Sequence, residues 1–511
     1  MASLRAARGE HAASERLRDV VGGPARLHVV LVLACVLALN TADQATVGAA
    51  GSEIERGLGI DNTLLGLLAA VTPLMGALGA FPAGILVDRL NRTRLMAGAI
   101  VVWSIAMVVS GFALSYPMLL LVRVGLGLVA AIAGPIVASL LGDYFAASER
   151  GRIYGMVLSG ELLGAAVGFV VSGEVATALS WRWSFGILAI PGLALAVWIV
   201  RSLPEPARGG RSRLAEGDTE IVDAEHAEAA GPQGEAGGAA ARTDPLAERA
   251  VSRQHIPPRG REVLHRDPAS LRPLQAIRYV LSIPSNRLLI VASTLSYFFL
   301  EGLQTFAVIF LQRRYGIAHS LATLLLGAIV IIAVLGAVFG GRIADAWLAR
   351  GRVDARILVS SLAFLLAGVF LIPAFALPSL GAGLVFYFIA ALGIAAPNPP
   401  LDAARLDIMP SGLWGRAEGV RAVLRNFGQS FAPFLFGFVS DRFAPPAAAG
   451  TATGFGAGAS GTGLEDTFLV MLAPLLIASF IMFMVRRPYP RDVATALESE
   501  HAIDRAAHKV S

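Results

Sequence analysis

Gly84-Ile85-Leu86-Val87-Asp88-Arg89-Leu90-Asn91-Arg92-Thr93-Arg94 is a short polar turn between two long apolar runs, and the chain carries it twice. Its second copy is Gly341-Arg342-Ile343-Ala344-Asp345, followed by Arg350 and Arg352. Gly59-Ile60 precedes the first Asp at the same distance that Gly316-Ile317 precedes the second, and Gly79 matches Gly336, all at an offset of 257. Further on, Pro135, Asp143, Gly151-Arg152 and Gly155 match Pro399, Asp407, Gly415-Arg416 and Gly419 at an offset of 264. Such self-similarity predicts two copies of one bundle. Because each turn separates apolar runs, both copies lie in a membrane, and two halves that rock against each other suit alternating access.

Composition agrees. The chain is 55% hydrophobic and 15% charged, with mean hydropathy +0.65, whereas a soluble domain carries about a quarter charged residues. Crossing a bilayer takes about 20 apolar residues. Twelve such runs are read, near 27–50, 64–87, 95–115, 117–141, 155–178, 184–200, 288–312, 320–344, 357–377, 379–400, 420–440 and 466–485. The fold class expected is therefore all-α, with twelve transmembrane helices in two pseudo-symmetric six-helix bundles. Residues 1–26 form a polar tail, 27–201 the first bundle, 284–487 the second and 488–511 a second tail. Between the bundles, 202–283 is rich in Ala, Gly, Glu and Arg, buries no core of its own, and is expected to be disordered.

The basic charge is almost all arginine; Lys509 is the one lysine. Arg89, Arg92, Arg94, Arg150, Arg152, Arg350, Arg352, Arg356, Arg405, Arg416, Arg486, Arg487 and Arg491 gather at the even-numbered loops and the C-terminus. The positive-inside bias then puts both termini in the cytoplasm. Arg313 and Arg314 run against it. The Arg-rich, Lys-poor composition suggests a GC-rich bacterium and its plasma membrane. Cys35 is the single cysteine, the eight histidines form no cluster, and no signal peptide is read. With the lysine confined to the tail, no phosphate-binding Gly-Lys-Ser/Thr loop exists, so ATP-driven pumping is excluded and neither an enzyme, a cofactor nor a nucleic-acid partner is expected.

The pattern Gly84-x-x-x-Asp88-Arg89-x-x-Arg92-x-Arg94 resembles the signature loop of the major facilitator superfamily. So do Arg123, Ser148-Glu149-Arg150-Gly151-Arg152 and Trp181-Arg182-Trp183. More finely, Leu39-Asn40-x-x-Asp43 resembles the Leu-Asn-x-x-Asp-Arg signature of spinster-type lysolipid carriers, which anion:cation symporters of the superfamily share. Met409-Pro410, Gly415-Arg416-Ala417 and Asn426-Phe427-Gly428-Gln429 are similar to the spinster tenth loop and eleventh span. Gln44 stands where the signature has Arg, and Ala130 where spinsters carry Glu. The resemblance implies the major facilitator fold, a monomer, and a latch in which Asp88 meets the start of span eleven, here Arg416–Arg421.

Charges inside spans single out candidate sites, since each costs about 2.5–3.5 kcal/mol at mid-membrane unless partnered. Asp43 in span one and Arg123 in span four fall at similar depth, and a pair between them would couple protonation to rocking; a static buried pair is the alternative. The repeat places Glu301 next to the equivalent of Asp43, as a second proton carrier, a substrate contact or a Glu satisfied by a neighbouring helix. Asn40, Gln44, Gln304, Asn398, Asn426 and Gln429 are candidate cavity polar groups, and Arg425 a partner for an anionic headgroup. Glu161 lies in the small-residue stripe Gly160-x-x-x-Gly164-x-x-x-Gly168, facing the inner vestibule or merely accompanying helix packing. Asp88, Arg92, Asp143 and Asp345 are the candidate latch. The function expected is a proton-coupled secondary active transporter that exports an amphipathic or lipid-like small molecule. An organic anion symporter, and a non-transporting sensor or scaffold using 202–283, are the alternatives.

Overall fold

The computed structural model describes residues 21–145, 150–206, 214, 217–218, 221, 245–266, 268, 271–443 and 461–507. Among these, every regular element is helical. Eleven helices are long and apolar enough to cross a bilayer. The twelfth expected span, near 420–440, is present as two consecutive shorter helices, Trp414–Ser430 and Ala432–Phe443. Its first segment carries Arg416, Glu418, Arg421 and Arg425, which explains why it fails a test of continuous apolarity.

Spans one, two, three, five and six are Pro24–Ala49, Asn62–Arg89, Arg92–Gly111, Arg150–Ala178 and Trp181–Ser202. Spans seven, eight, nine and twelve are Pro284–Tyr315, His319–Ala349, Ala355–Ala376 and Gly461–Val485. Spans four and ten each break: Tyr116–Ala130 gives way to Ala133–Tyr144, and Leu380–Ala395 to Asn398–Asp407. Each break falls just ahead of the matched prolines Pro135 and Pro399, where a missing amide and a ring clash interrupt the helical ladder. The matched Gly-Ile landmarks also acquire a reason. Gly59 (φ 65°) and Gly316 (φ 62°) end the helices Gly51–Leu58 and Pro284–Tyr315 in the left-handed conformation that glycine adopts without strain.

Small residues set the helix spacing. A Cβ at Gly160, Gly164 or Gly168 would meet the backbone of Ala34, Ala38 or Ala42, so the stripe of span five lies directly on span one. Gly336 and Gly340 do the same against Leu392 and Ala396, joining spans eight and ten.

Each half is tied internally by the same device. Arg92 pairs with Asp143 and, 264 residues on, Arg356 pairs with Asp407. Arg92 also holds Glu205 at 2.7 Å and the Pro206 carbonyl at 2.8 Å. Tyr489 donates its hydroxyl to Asp407 at 2.7 Å, and Asp345 lies 3.8 Å from Arg356. Arg92, Asp143 and Asp345, read as parts of a latch, make these pairs within their own halves. The side chain of Asp88 lies outside the described residues.

The central stretch also departs from expectation. Helices Pro245–Gln254 and Pro273–Ser282 fall within 202–283, as does a short 3-10 turn at Gly260–Glu262. The first buries Ala247, Ala250 and Val251, too few large residues to register as a core in sequence. It docks rather than folds alone: Gln254 reaches the Gly351 carbonyl at 2.6 Å, the amides of Arg259 and Leu264 donate to Thr495 and Ser499, and Arg259 pairs with Asp492 at 3.0 Å. Asp492, Thr495 and Ser499 stand on the helix Tyr489–Ala507 of the C-terminal tail. Residues 207–213, 222–244 and the 444–460 loop lie outside the described residues.

Candidate functional site

Spans one and four bring Asp43 and Arg123 together, as the sequence led us to expect. Arg123 Nη1 donates to Asp43 Oδ1 at 2.7 Å, and both residues are about 1–2% exposed. Two aromatic partners complete the site and were not singled out in the sequence. Trp103 Nε1 donates to the other carboxylate oxygen at 3.3 Å, and the Phe185 ring lies 4.5 Å from the guanidinium. Arg123 nevertheless leaves Nε and Nη2 without a hydrogen bond. A buried pair that is incompletely satisfied is poorly suited to pure stabilisation, because desolvation offsets most of the Coulomb attraction.

The other intramembrane charges separate into two groups. Arg425 stacks on Tyr297 at 4.6 Å and has no carboxylate within ion-pair distance among the described residues. Glu161 of span five, from the first half, is near enough for its charge to act on Arg425, as are Glu418 and Asp402. Asp402 and Glu418 are themselves engaged by Arg405 at 2.7 Å and Arg421 at 2.9 Å. Gln429 leaves its Oε1 buried and unbonded, while Asn398, Asn426 and Gln304 are half-buried. Asn40 is half-buried and Gln44 exposed. Glu301 stands apart: it is half-buried, no cation pairs with it among the described residues, and its backbone carbonyl accepts from the Thr305 hydroxyl at 2.9 Å.

The face opposite the termini, here the far face, carries contacts that sequence reading missed. Arg313 of span seven holds Glu55 at 2.5 Å and Asn62 at 3.1 Å. Asn62 and Thr63, at the start of span two, donate to Asp441 of span eleven at 2.9 and 2.8 Å. Ser52 reaches Gln312 at 2.8 Å, and Glu53 lies 3.1 Å from His319. Glycines close the seam below: a Cβ at Gly66 would meet the Pro433 carbonyl, one at Gly437 the Asn62 carbonyl, and one at Gly48 the Gln304 carbonyl. Toward the opposite, near face, Gly84, Gly134, Gly142, Gly155 and Gly419 have open space where a Cβ would stand. These polar contacts join the halves at the far face, so this conformation is shut there. Arg313 and its neighbour Arg314, which pairs with Glu465 at 3.1 Å, thus have structural work that overrides the loop-charge bias.

Glu55, on the short helix outside the spans, gives this closure a pH dependence. Burial pushes its carboxyl up to about 7; Arg313 pulls it down, while Asp441, Asp61 and Glu53 push it further up. An open far face would return Glu55 to water and to an ordinary carboxylate value. The closed state then binds the proton more readily, so closure is favoured in acid and loses that support as pH rises through about 7. Raising the pH from 5.5 to 7.5 is expected to shift the equilibrium toward opening by about tenfold, read as spin-label distances across the far face. Glu55→Gln should flatten that response, and an unchanged response would remove Glu55 from the switch.

Twelve spans in two symmetric halves, shut at one face and carrying buried charges between, define the fold of a membrane carrier. The chain belongs to the Major Facilitator Superfamily, whose sequence model matches residues 33–433. This is a family of transporters, which sets an enzyme reading aside. Among its relatives is the probable L-galactonate transporter of Escherichia coli K12, 29% identical over 169 residues, or 33% of this chain and 37% of that one. Mouse protein spinster homolog 1 is 29% identical over 196 residues, 36% of each chain. The matches thus span well under half the length of these relatives. In fold, the chain is similar to a bacterial homolog of the human lysosomal transporter spinster in an inward-facing, unoccupied conformation (TM-score 0.69, 20% identity, 92% of this chain and 98% of that one). It is also similar to a D-xylose-proton symporter (TM-score 0.62, 15% identity, 90% and 98%).

Proposed function

We propose that the protein is a secondary active carrier that works by alternating access, is coupled to protons at Asp43, and moves a small organic anion. The observation that carries this reading is the Asp43–Arg123 pair, buried yet incompletely satisfied. Protonating Asp43 leaves Arg123 without its counter-charge, and a cation isolated in a low-dielectric interior seeks another partner or another conformation. Arg425 supplies the anchor: an unpaired guanidinium with Tyr297 beneath it suits a carboxylate, which it can meet with two parallel hydrogen bonds. Relatives named for L-galactonate and hexuronate support the anion class, since both are sugar carboxylates. Glu301 is the second candidate proton carrier. We place the protein as a monomer in a bacterial plasma membrane with the far face outside, so that this conformation opens to the cytoplasm, and Asp88 as a latch that engages when the near face closes.

Export of an amphipathic, lipid-like molecule is the second reading, favoured by the likeness to mouse spinster homolog 1. The two readings share an anionic head and differ in the tail. The test is acid-evoked proton movement in proteoliposomes holding a lumenal pH dye, with organic acids and lysophospholipids as substrates. Arg425→Ala is expected to raise the KM for the transported anion at least about tenfold, the worth of one charge-assisted contact. An unaltered KM in well-folded protein would move the anchor elsewhere.

A further inference from the structure

The repeat sets one pair of unlike charges against each other. The offset of 264 that matches Asp143 with Asp407, Gly151 with Gly415 and Gly155 with Gly419 also carries Glu161 onto Arg425. At Asp143 and Asp407 the repeat keeps the acid; at Glu161 and Arg425 it reverses the charge. Each of the two stands 11 residues beyond the first residue of its helix, Arg150–Ala178 or Trp414–Ser430, which is about 16 Å along it at 1.5 Å per residue. Halves related by an axis along the membrane normal hold matched positions at one depth, on opposite sides of that axis. Glu161 of the first half and Arg425 of the second therefore lie level with each other.

Neither charge is spent inside its own half. The Glu161 backbone carbonyl accepts from the Thr41 hydroxyl at 2.9 Å, but its carboxylate has no cation within ion-pair distance among the described residues. Arg425 lies over the Tyr297 ring and leaves Nε buried without a hydrogen bond. The acids beside it in its own half, Asp402 and Glu418, are held by Arg405 and Arg421. Glu161 is left as the nearby acid with no arginine of its own, close enough for the two charges to act on each other and not in contact. Both residues are half-buried while the far face is shut. A charge at such depth needs a partner or a wet cavity, and closing the near face removes the second.

We infer that Glu161 and Arg425 join when the near face closes on the empty carrier, and that the transported anion displaces Glu161 from Arg425 when the carrier is loaded. An empty carrier without this internal acid would have to bury a bare guanidinium to return, a cost that only a bound anion could offset. It would then exchange one anion for another and move none net. Glu161 supplies the missing carboxylate and opens the empty return. In the loaded carrier Glu161 has lost its partner, so it is buried in protonated form. The groups around it are Arg425 and Asp402, whose charges act on it, and Tyr297, which its own charge reaches. On span one, packed against it, the one acid is Asp43, which Arg123 holds; spans six and eight carry charge only near their ends. The loaded step rests on the anion-carrier reading, and the empty step does not.

The test uses the full-length protein carrying Cys35→Ser. Spin labels on Gly155→Cys and Gly419→Cys, near-face positions with open space in each half, report closure as a distance. Without any anion the labelled parent should populate a short distance, and Glu161→Gln and Arg425→Gln should each lower that share at least about tenfold. Swapping the charges, Glu161→Arg with Arg425→Glu, should restore much of it. An empty carrier that never closes, single variants that close as the parent does, or a well-folded charge-swapped variant no better than either single change overturns the pairing. In proteoliposomes with gluconate and lysophosphatidylglycerol as probes, Glu161→Gln should keep anion exchange while net flux falls at least about tenfold. Equal loss of both in well-folded protein overturns displacement by the anion. Pair-dependent closure, with no response of the parent to either anion, upholds the pairing and sinks the anion-carrier reading.

Discussion

Asp43→Asn is expected to lower proton-driven flux by about a hundredfold or more, an amount equal to roughly 2.7 kcal/mol of lost driving interaction. The amide fills the same volume and its single oxygen can still accept from Arg123 or from Trp103, which now use separate carboxylate oxygens, but it cannot take up and release a proton. The substitution also strands the Arg123 guanidinium, which already lacks partners at Nε and Nη2. Removing one member of a buried pair costs about 3–5 kcal/mol of stability, so a fall in yield would confuse the result. The double variant Asp43→Asn with Arg123→Gln separates the effects. It removes the stranded charge and is expected to recover most of the stability while flux stays uncoupled from pH. If the double variant regains proton-driven accumulation, Asp43 is a structural counter-ion only. If the single variant transports normally, the coupling proton resides elsewhere, with Glu301 next in line.

The second large effect is expected at the far seam. Gly437 and Gly66 interlock reciprocally, each facing a carbonyl of the opposing helix, Asn62 and Pro433. Gly437→Leu puts a branched side chain where there is not room for one Cβ. Spans two and eleven must then part, and the polar bridge from Asn62 and Thr63 to Asp441 parts with them. Transport should fall at least about tenfold, and the far face should become correspondingly more accessible to water-soluble labels. The size follows from the 1–3 kcal/mol typical of overpacking, here charged to one conformation only. Gly98→Ala is the control: its position faces open space, and a helical alanine there should be neutral or slightly stabilising. Far-face accessibility unchanged in Gly437→Leu would mean that the seam yields locally and does not gate the carrier.

Much of the architecture was legible because membranes make sequence unusually explicit. Apolar runs report spans directly, and duplicated landmarks such as Gly59 and Gly316 report one backbone requirement met twice. Asp43 and Arg123 were legible because a lone intramembrane charge demands a partner. The far-face closure was not, since Glu55, Asn62, Arg313 and Asp441 are ordinary loop-end residues until folding brings them together from separations of up to 379 positions. Trp103 was hidden for a different reason: in an apolar span a tryptophan reads as lipid-facing bulk, and only its N–H toward Asp43 shows otherwise. Arg92 and Asp143 were only partly legible because alternating charges at a membrane surface suit both an internal tie and a latch between halves, and periodicity cannot distinguish the two. The docked helix at Pro245–Gln254 escaped notice because alanines supply most of its buried face.

The tie within the first half has a bearing on how the chain is made. Arg92 is neutralised by Asp143, but its remaining nitrogens, and the amide of Thr93, are satisfied by Glu205 and Pro206, which follow span six. The first half gathers its closing stitches only after span six: at residues 205–206, then at Leu214, whose amide donates to the Tyr144 carbonyl, and at Asp218, whose carbonyl accepts from Ala25. The second half repeats the sequence of events, its Arg356–Asp407 pair waiting for the hydroxyl of Tyr489 from beyond the final span.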